Sequence, residues 1–211
     1  MTGVTQAVFM NQRSFGPPQI GAAYEGGYFA GQISTAGNGV ASHNLVIAPV
    51  STGESASKQW KTSNTSTSGT SSVIDGPANS SAMNNATHPA AQFCEGLSIG
   101  GYSDWYMPAK NELEVCYYNL KPTTSSNNTA SGTNTNAVPS RSSNYTAGTP
   151  AQTSATDFKS GGSQAFAAAS YWSSTEFSAS NGSLQGFSNG SQGNVAKANY
   201  SRVRAVRRVA V

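Results

Sequence analysis

YWSSTEF (Tyr171 to Phe177) and SRVRAVRRV (Ser201 to Val209) bracket SASNGSLQGFSNGSQGNVAKANY (Ser178 to Tyr200), a run made mostly of Ser, Gly, Asn, Gln and Ala. In RVRAVRR, Arg alternates with Val and Ala, the period of a strand with one buried face. YWSSTEF pairs adjacent aromatics with small hydroxyl residues, and Trp172 beside Tyr171 reads as core. Two well-specified strands around a permissive polar segment make that segment the working surface and the strands its frame. Glu176 is the one charge in its motif. Pairing with Arg202, Arg204 or Arg207 would tie the two ends together, and ion-pair networks are a commoner use of such a group than catalysis.

Working outward, the bulk composition limits the alternatives. The chain has 211 residues, enough for one sizeable domain or a domain with a short arm. Charged residues make up 10%, well under the usual quarter, and Ser, Thr, Asn and Gly take their place. Aromatics remain spread along the chain, which favours a folded, loop-rich protein with a modest core over disorder. The net charge of +3 is small, and the C-terminal Arg residues are already explained by strand alternation, so no nucleic-acid partner is expected. Cys94 and Cys116 sit in apolar helix-like surroundings and read first as buried free thiols, with a disulfide as the alternative. The N-terminal residues lack a basic start followed by an apolar stretch, and no run approaches the ~20 apolar residues of a membrane helix. Cytoplasmic synthesis without membrane insertion is expected.

Along the chain, residues 1–24 carry a Pro pair and Gly and read as a connecting or assembly arm, with Val8, Phe9 and Phe15 available for packing. GGYFAGQI (Gly26 to Ile33) and HNLVIAPV (His43 to Val50) predict a hairpin. The polar stretch after it reads as a long surface loop pinned by Trp60. Helix starts are expected at Asp75 or Pro77, turning Ala78, Ala82 and Met83 inward, and at Thr87 as N-cap before Pro89. These are compatible with one kinked helix or two short ones. Pro108 leads into a helix with Leu113, Cys116, Tyr117 and Leu120 at i, i+3, i+4 and i+7. Lys110 and Glu114 are expected to pair on its exposed side, and Glu112 to face back toward the preceding turn. Residues 121–165 read as a long loop insertion, anchored by Val138, Tyr145 and Phe158.

Catalytic and metal patterns are missing. His43 and His88 are far apart, and there is no His-x-x-x-His, Cys-x-x-Cys, Gly-x-Ser-x-Gly or phosphate loop. The acids are scattered with no pattern that would pair them. Neither an enzyme nor a cofactor is expected.

Taken together, GYSDWYMPAKNEL, YWSSTEF, FSNGSQ and RVRAVRR, in this order, resemble the C-type-lectin-like domain of phage tail-fibre and receptor-binding proteins. That family is similar to the phage tropism determinants and to the C-terminal domain of bacterial collagen-like adhesins. The likeness covers residues 25–211. It implies an α+β, C-type-lectin-like fold: a small twisted antiparallel sheet, two helices and long irregular loops. The Glu-Pro-Asn and Trp-Asn-Asp motifs of calcium-dependent lectins are absent, as is the C-terminal Cys pair of formylglycine-generating enzymes.

The resemblance also implies a function. It places a receptor-binding surface between the two framing strands, at Ser178, Ser180, Asn181, Ser183, Leu184, Gln185, Ser188, Ser191, Gln192, Asn194, Lys197, Asn199 and Tyr200. Trp105, Trp172, Glu176, Arg202 and Arg204 would form the structural frame. In some relatives this surface is varied by a diversity-generating retroelement. Of the apolar groups, Leu184, Phe187 and Tyr200 would offer contact area, and weak single sites would act together in a homotrimer. The implied setting is a virion tail, the implied partners a bacterial surface protein or glycan and other tail proteins. A structural virion tip or decoration domain, or a bacterial adhesin, are the alternatives.

Overall fold

The computed structural model describes residues 16–211, and Val8, Phe9 and Phe15 of the expected arm lie outside them. The end of the arm joins the first sheet. β1 (Ala23–Tyr24) pairs antiparallel with β2 (Gly27–Ile33) across a two-residue turn. Both turn residues have positive φ, Glu25 at 47° and Gly26 at 82°, as a tight hairpin following the right-handed strand twist requires. A Cβ at residue 26 would stand 2.7 Å from the Tyr102 ring, so glycine is also needed for space.

β2 then pairs with β3 (His43–Ile47) as the hairpin that the sequence predicts. One turn of helix, α1 (Val50–Gly53), leads to β4 (Glu54–Gln59), which lies inside the stretch expected to be surface loop. Its sequence, ESASKQ, lacks the apolar alternation that marks a strand, because it is an edge strand with no fully buried face. Trp60, immediately after it, is fully buried.

The next segment forms two short helices, α2 (Gly76–Ala82) and α3 (Pro89–Glu95). Asp75 caps α2 by accepting from the Ala78 N–H. Asn79, Ser80 and Met83 face inward, whereas Ala78 and Ala82 are exposed. The reason is polar: Asn79 Nδ2 donates to the Ser72 carbonyl, and Ser80 Oγ accepts from the Met107 N–H. His88, rather than Thr87, occupies the N-cap of α3, while the Thr87 hydroxyl is taken up by Asn85.

α4 (Lys110–Leu120) buries Leu113, Cys116, Tyr117 and Leu120 at the predicted spacing. Glu112 turns back to accept from the Ala109 N–H at 2.8 Å and also receives Tyr106 Oη and Arg208 Nε. The expected Lys110–Glu114 surface pair does not form. Glu114 is fully buried and is held by Arg141, Asn134 and Tyr145 of the following segment.

Residues 123–164 are mostly irregular apart from β5 (Ala137–Val138), which pairs with β2, and a 3-10 turn at Thr156–Phe158. Tyr145 and Phe158 are buried, and Val138 is half-buried. Much of the remaining anchoring is polar. Asn127 Nδ2 donates to the carbonyls of Thr146 and Pro150 while its Oδ1 accepts from Tyr117 Oη at 2.6 Å. Asn136 Nδ2 reaches Ser34 O, and buried Lys121 donates to Ser125 O and Pro150 O. Such bonds satisfy loop carbonyls that would otherwise be stranded away from water.

β6 (Ser170–Glu176), β7 (Asn181–Gly186) and β8 (Gln192–Ala196) form an antiparallel meander. The low-complexity centre is therefore sheet, not an irregular displayed loop. RVRAVRR does not make one strand: it splits at Ala205 into β9 (Tyr200–Arg204) and β10 (Val206–Ala210). β9 belongs to a sheet ordered β4-β9-β6-β7-β8, meeting β6 through a single bridge between Tyr171 and Arg202. β10 closes the other sheet, ordered β1-β2-β3-β10. Ala205 is the crossing point, donating to Gly53 O and accepting from the Ala48 N–H.

The fold is thus mixed helix and sheet, an α+β arrangement with two curled, largely antiparallel sheets and four helices among the described residues. One core cluster packs α4 against the first sheet and the meander through Ile33, Leu45, Leu113, Tyr117, Tyr171 and Phe187. A second gathers Trp60, Met83, Cys94, Trp105, Trp172 and Val203. Cys94 and Cys116 are both free and buried, one in each cluster.

Candidate functional site

β6 ends at Glu176, and the chain leaves β8 at Lys197, so the meander brings these two residues to the same end of the second sheet. Lys197 is fully buried, and its Nζ lies 2.6 Å from Glu176 Oε1. The ammonium also donates to Thr65 O and Ala179 O and sits 4.7 Å over the Trp60 ring. Glu176 in turn accepts from the Thr67 N–H and from the Thr70 hydroxyl. One ion pair therefore ties three segments, 61–70, 177–181 and 196–199, to a common base.

Burial raises the Glu176 pKa, but the bonds from Lys197, Thr70 and the Thr67 amide outweigh it and hold the carboxyl below its ordinary value. Beside this pair, His88 packs edge-on to Trp60 with its Nε2 2.9 Å from Thr67 Oγ1. Burial, then Lys61 and Lys197, depress its pKa to about 4, against an opposing pull from Glu176. The imidazole is neutral at pH 7.

Above this base the surface opens. Residues 62–66 are exposed, as are Ala179, Ser180, Asn199 and Tyr200. Asn64 Oδ1 accepts from the Ala198 N–H, joining two of the loops directly. Phe177, one residue beyond the ion pair, is 63% exposed, and Tyr200, which opens β9, is 67% exposed. Large exposed apolar side chains are the groups that supply contact area to a partner. Phe177 was not among the residues expected at the surface. A Phe beside a Trp-bearing strand carries the same sequence signal as a core residue, and no alternation in YWSSTEF separates the two. Residues 62–66 carry no sequence signal for this position, because only folding brings them beside the C-terminal segment.

The expected binding residues do not form one face. Ser178, Ser180, Asn181, Asn199 and Tyr200 gather at the end just described. Asn194 is exposed on the edge strand β8. Ser183, Gln185 and Lys197 are buried, which overturns their reading as displayed groups. Ser183 Oγ donates to Asn194 Oδ1, and Gln185 Nε2 to Gly190 O, so both serve the meander itself. Leu184 packs against the second core cluster, and Phe187 is fully buried against Phe166 and Tyr171, not available to a partner. Ser188, Ser191 and Gln192 lie at the opposite end, where the 123–131 segment covers them. Thr123 Oγ1 donates to Ser188 O, and the Gln192 N–H to Ser131 Oγ.

The frame is also wired differently from the expectation. Glu176 pairs with Lys197, not with an Arg of the final strands. Arg202 Nη1 is 2.8 Å from Glu54 Oε1, and buried Arg204 donates to Ala48 O and Gln164 O. Arg207 forms a two-pronged pair with Asp104, and Arg208 reaches Glu112. Trp105 and Trp172 are buried, with indole N–H groups donating to Tyr102 O and Lys58 O. Among the described residues, no three His, Cys, Asp or Glu side chains converge as a metal site would need. No helix there is long and apolar enough to cross a membrane.

Neither a protein-family model nor a curated protein matches the chain. Among solved structures, the chain is similar to a fimbrial protein from Bacteroides ovatus at 18% identity, with a TM-score of 0.44. That match covers 77% of this chain and 35% of the other, so this chain corresponds to about a third of the length of the fimbrial protein.

Proposed function

We propose that the chain is a receptor-binding protein of the phage tail-fibre kind, with a C-type-lectin-like fold, recognising a protein or glycan on a bacterial surface. The observation that carries this reading is the exposure of Phe177, Ser180, Asn199 and Tyr200 on the segments that flank the buried Glu176–Lys197 pair. A rigid base beneath small polar groups and two exposed aromatics combines adaptable hydrogen bonding with apolar anchors. The face centres on one end of the meander, with residues 62–66 as part of it. Its exposed positions are the ones open to variation, while the buried ones are frame.

The assembly that accompanies this reading is a homotrimer displayed on a virion tail, in which several weak sites act together. Light scattering of the purified chain should give three times the chain mass, and a monomer alone would remove the trimer from the proposal. The function itself is tested by adsorption to bacterial cells. A Phe177→Ala/Tyr200→Ala double variant should lose cell binding while unfolding at the wild-type denaturant midpoint. Undiminished adsorption would reject this face as the receptor site and leave a structural virion role as the better account.

A further inference from the structure

A concave feature lies in the 123–164 segment, at the end of the meander away from Phe177. Tyr118 of α4, residues 141–146 and Thr149 line an open cavity of about 270 Å³. That is just below the ~300–1,000 Å³ of ordinary small-molecule sites, so it suits a ligand of about one ring. The Arg141 guanidinium lies 3.9 Å over the Tyr118 ring, and its Nη2 contacts Glu114. Glu114 itself is fully buried and also bound by Tyr145 Oη. The wall is thereby fixed in shape before any ligand arrives.

The chemistry of the lining is selective. Arg141 is the sole ionisable lining group other than tyrosine, and its charge is matched by Glu114 behind it, so the cavity offers no net charge to an anion. The rim is polar and neutral: Ser142, Ser143 and Asn144 are exposed and supply two hydroxyls and an amide. Arg141 Nε is buried in the wall, so the guanidinium meets the cavity only through its remaining atoms. Tyr118, half-buried with the Arg141 guanidinium over its ring, adds a partial aromatic surface. Many neutral hydrogen-bonding groups beside an aromatic ring, in a space for one ring, match a polyhydroxylated six-membered ring.

We propose that this cavity binds a single neutral sugar residue, a hexose or N-acetylhexosamine, at the end of a larger glycan. The proposal is independent of the receptor face, because it uses residues at the other end of the meander. A ligand of this size in an open cavity binds with a Kd on the order of millimolar.

The test is titration of the whole chain with methyl hexosides and methyl N-acetylhexosaminides, followed by saturation-transfer NMR and calorimetry. Methyl glucuronide and N-acetylneuraminic acid form the anionic arm. At least one neutral glycoside should bind saturably, and the anionic sugars should bind no better. Tyr118→Ala should weaken binding tenfold or more. Because Tyr118 is half-buried and packs on the core, the exposed double variant S142A/S143A is the companion, expected to weaken binding several-fold with an unchanged unfolding midpoint. The Phe177→Ala/Tyr200→Ala variant should bind the glycoside as wild type does. Absence of binding by every neutral glycoside, a tenfold preference for an anionic sugar, or binding undiminished in both cavity variants would each overturn the proposal.

Discussion

Lys197 Nζ and Glu176 Oε1 meet 2.6 Å apart at the root of the exposed loop cluster, with the lysine side chain wholly removed from solvent. Removing one partner of such a pair strands a charge in a low-dielectric site, which typically costs about 3–5 kcal/mol. Lys197→Met should therefore lower the unfolding free energy by roughly 3 kcal/mol. Glu176→Gln, which leaves the fully buried Lys197 ammonium without its carboxylate, should cost a comparable amount. The double variant should fall short of the sum by about 1–3 kcal/mol, the signature of direct coupling. Denaturant unfolding of the four proteins measures this, and strict additivity would mean that the pair does not anchor the loops.

Glu114 is the corresponding anchor for residues 123–164. It receives Arg141, Asn134 Nδ2 and Tyr145 Oη, so a single buried carboxylate holds three points of an otherwise irregular segment. Glu114→Ala should cost about 3 kcal/mol by leaving Arg141 unpaired and two donors without acceptors. Amide hydrogen exchange should accelerate first within 128–147, before the sheets respond. Uniform acceleration across the chain would show that this segment opens only with the whole domain.

The parts of this architecture legible in the sequence are those that use apolar periodicity. The β2–β3 hairpin, the Leu113/Cys116/Tyr117/Leu120 stripe of α4 and the buried Trp172 all belong here. What escaped reading is held by side-chain amides and hydroxyls. Asn127, Asn134 and Asn136 are buried, yet each has the composition of a surface loop residue, because its hydrogen bonds replace apolar contact. β7 and β8 were hidden for a related reason: Ser183 and Gln185 face inward and bond within the meander, so no hydrophobic alternation marks the strands. Of the expected surface residues, Ser180, Asn199 and Tyr200 are exposed, whereas Ser183 and Gln185 are buried. Lys197 reads as a displayed charge and is in fact the buried base.

That difference predicts which positions accept new side chains. Ser180→Lys and Asn199→Lys replace exposed residues and should change stability by no more than about 0.5 kcal/mol. Ser183→Lys, at a residue 4% exposed, buries an unpaired ammonium and should cost several kcal/mol. Thermal unfolding of the three variants distinguishes face from frame. Equal tolerance at all three would mean that the meander is not packed as described.

Acid should loosen this end of the molecule through His88. Its Nδ1 lies 2.8 Å from Asn85 Oδ1, so the neutral ring donates there and accepts from Thr67 at Nε2. Burial, Lys61 and Lys197 hold the folded pKa at about 4, against an ordinary 6.5, with Glu176 the opposing charge. Between those two values the unfolded chain takes up a proton that the folded chain refuses, so stability falls as pH falls from 6.5 and the loss is complete below 4. Its size is at most ~3 kcal/mol. Glu176, whose folded pKa is depressed, adds a loss in the same direction, beginning below its ordinary 4.5 and complete once pH has passed its folded value. His88→Gln removes the first loss and keeps the second. Urea midpoints at pH 7, 5.5 and 4 should therefore decline steadily for the wild type, whereas the variant should decline more shallowly to pH 5.5, keeping only the part due to His43, whose pKa burial and then Arg208 also lower. Parallel declines in the two proteins would assign the acid sensitivity to other groups.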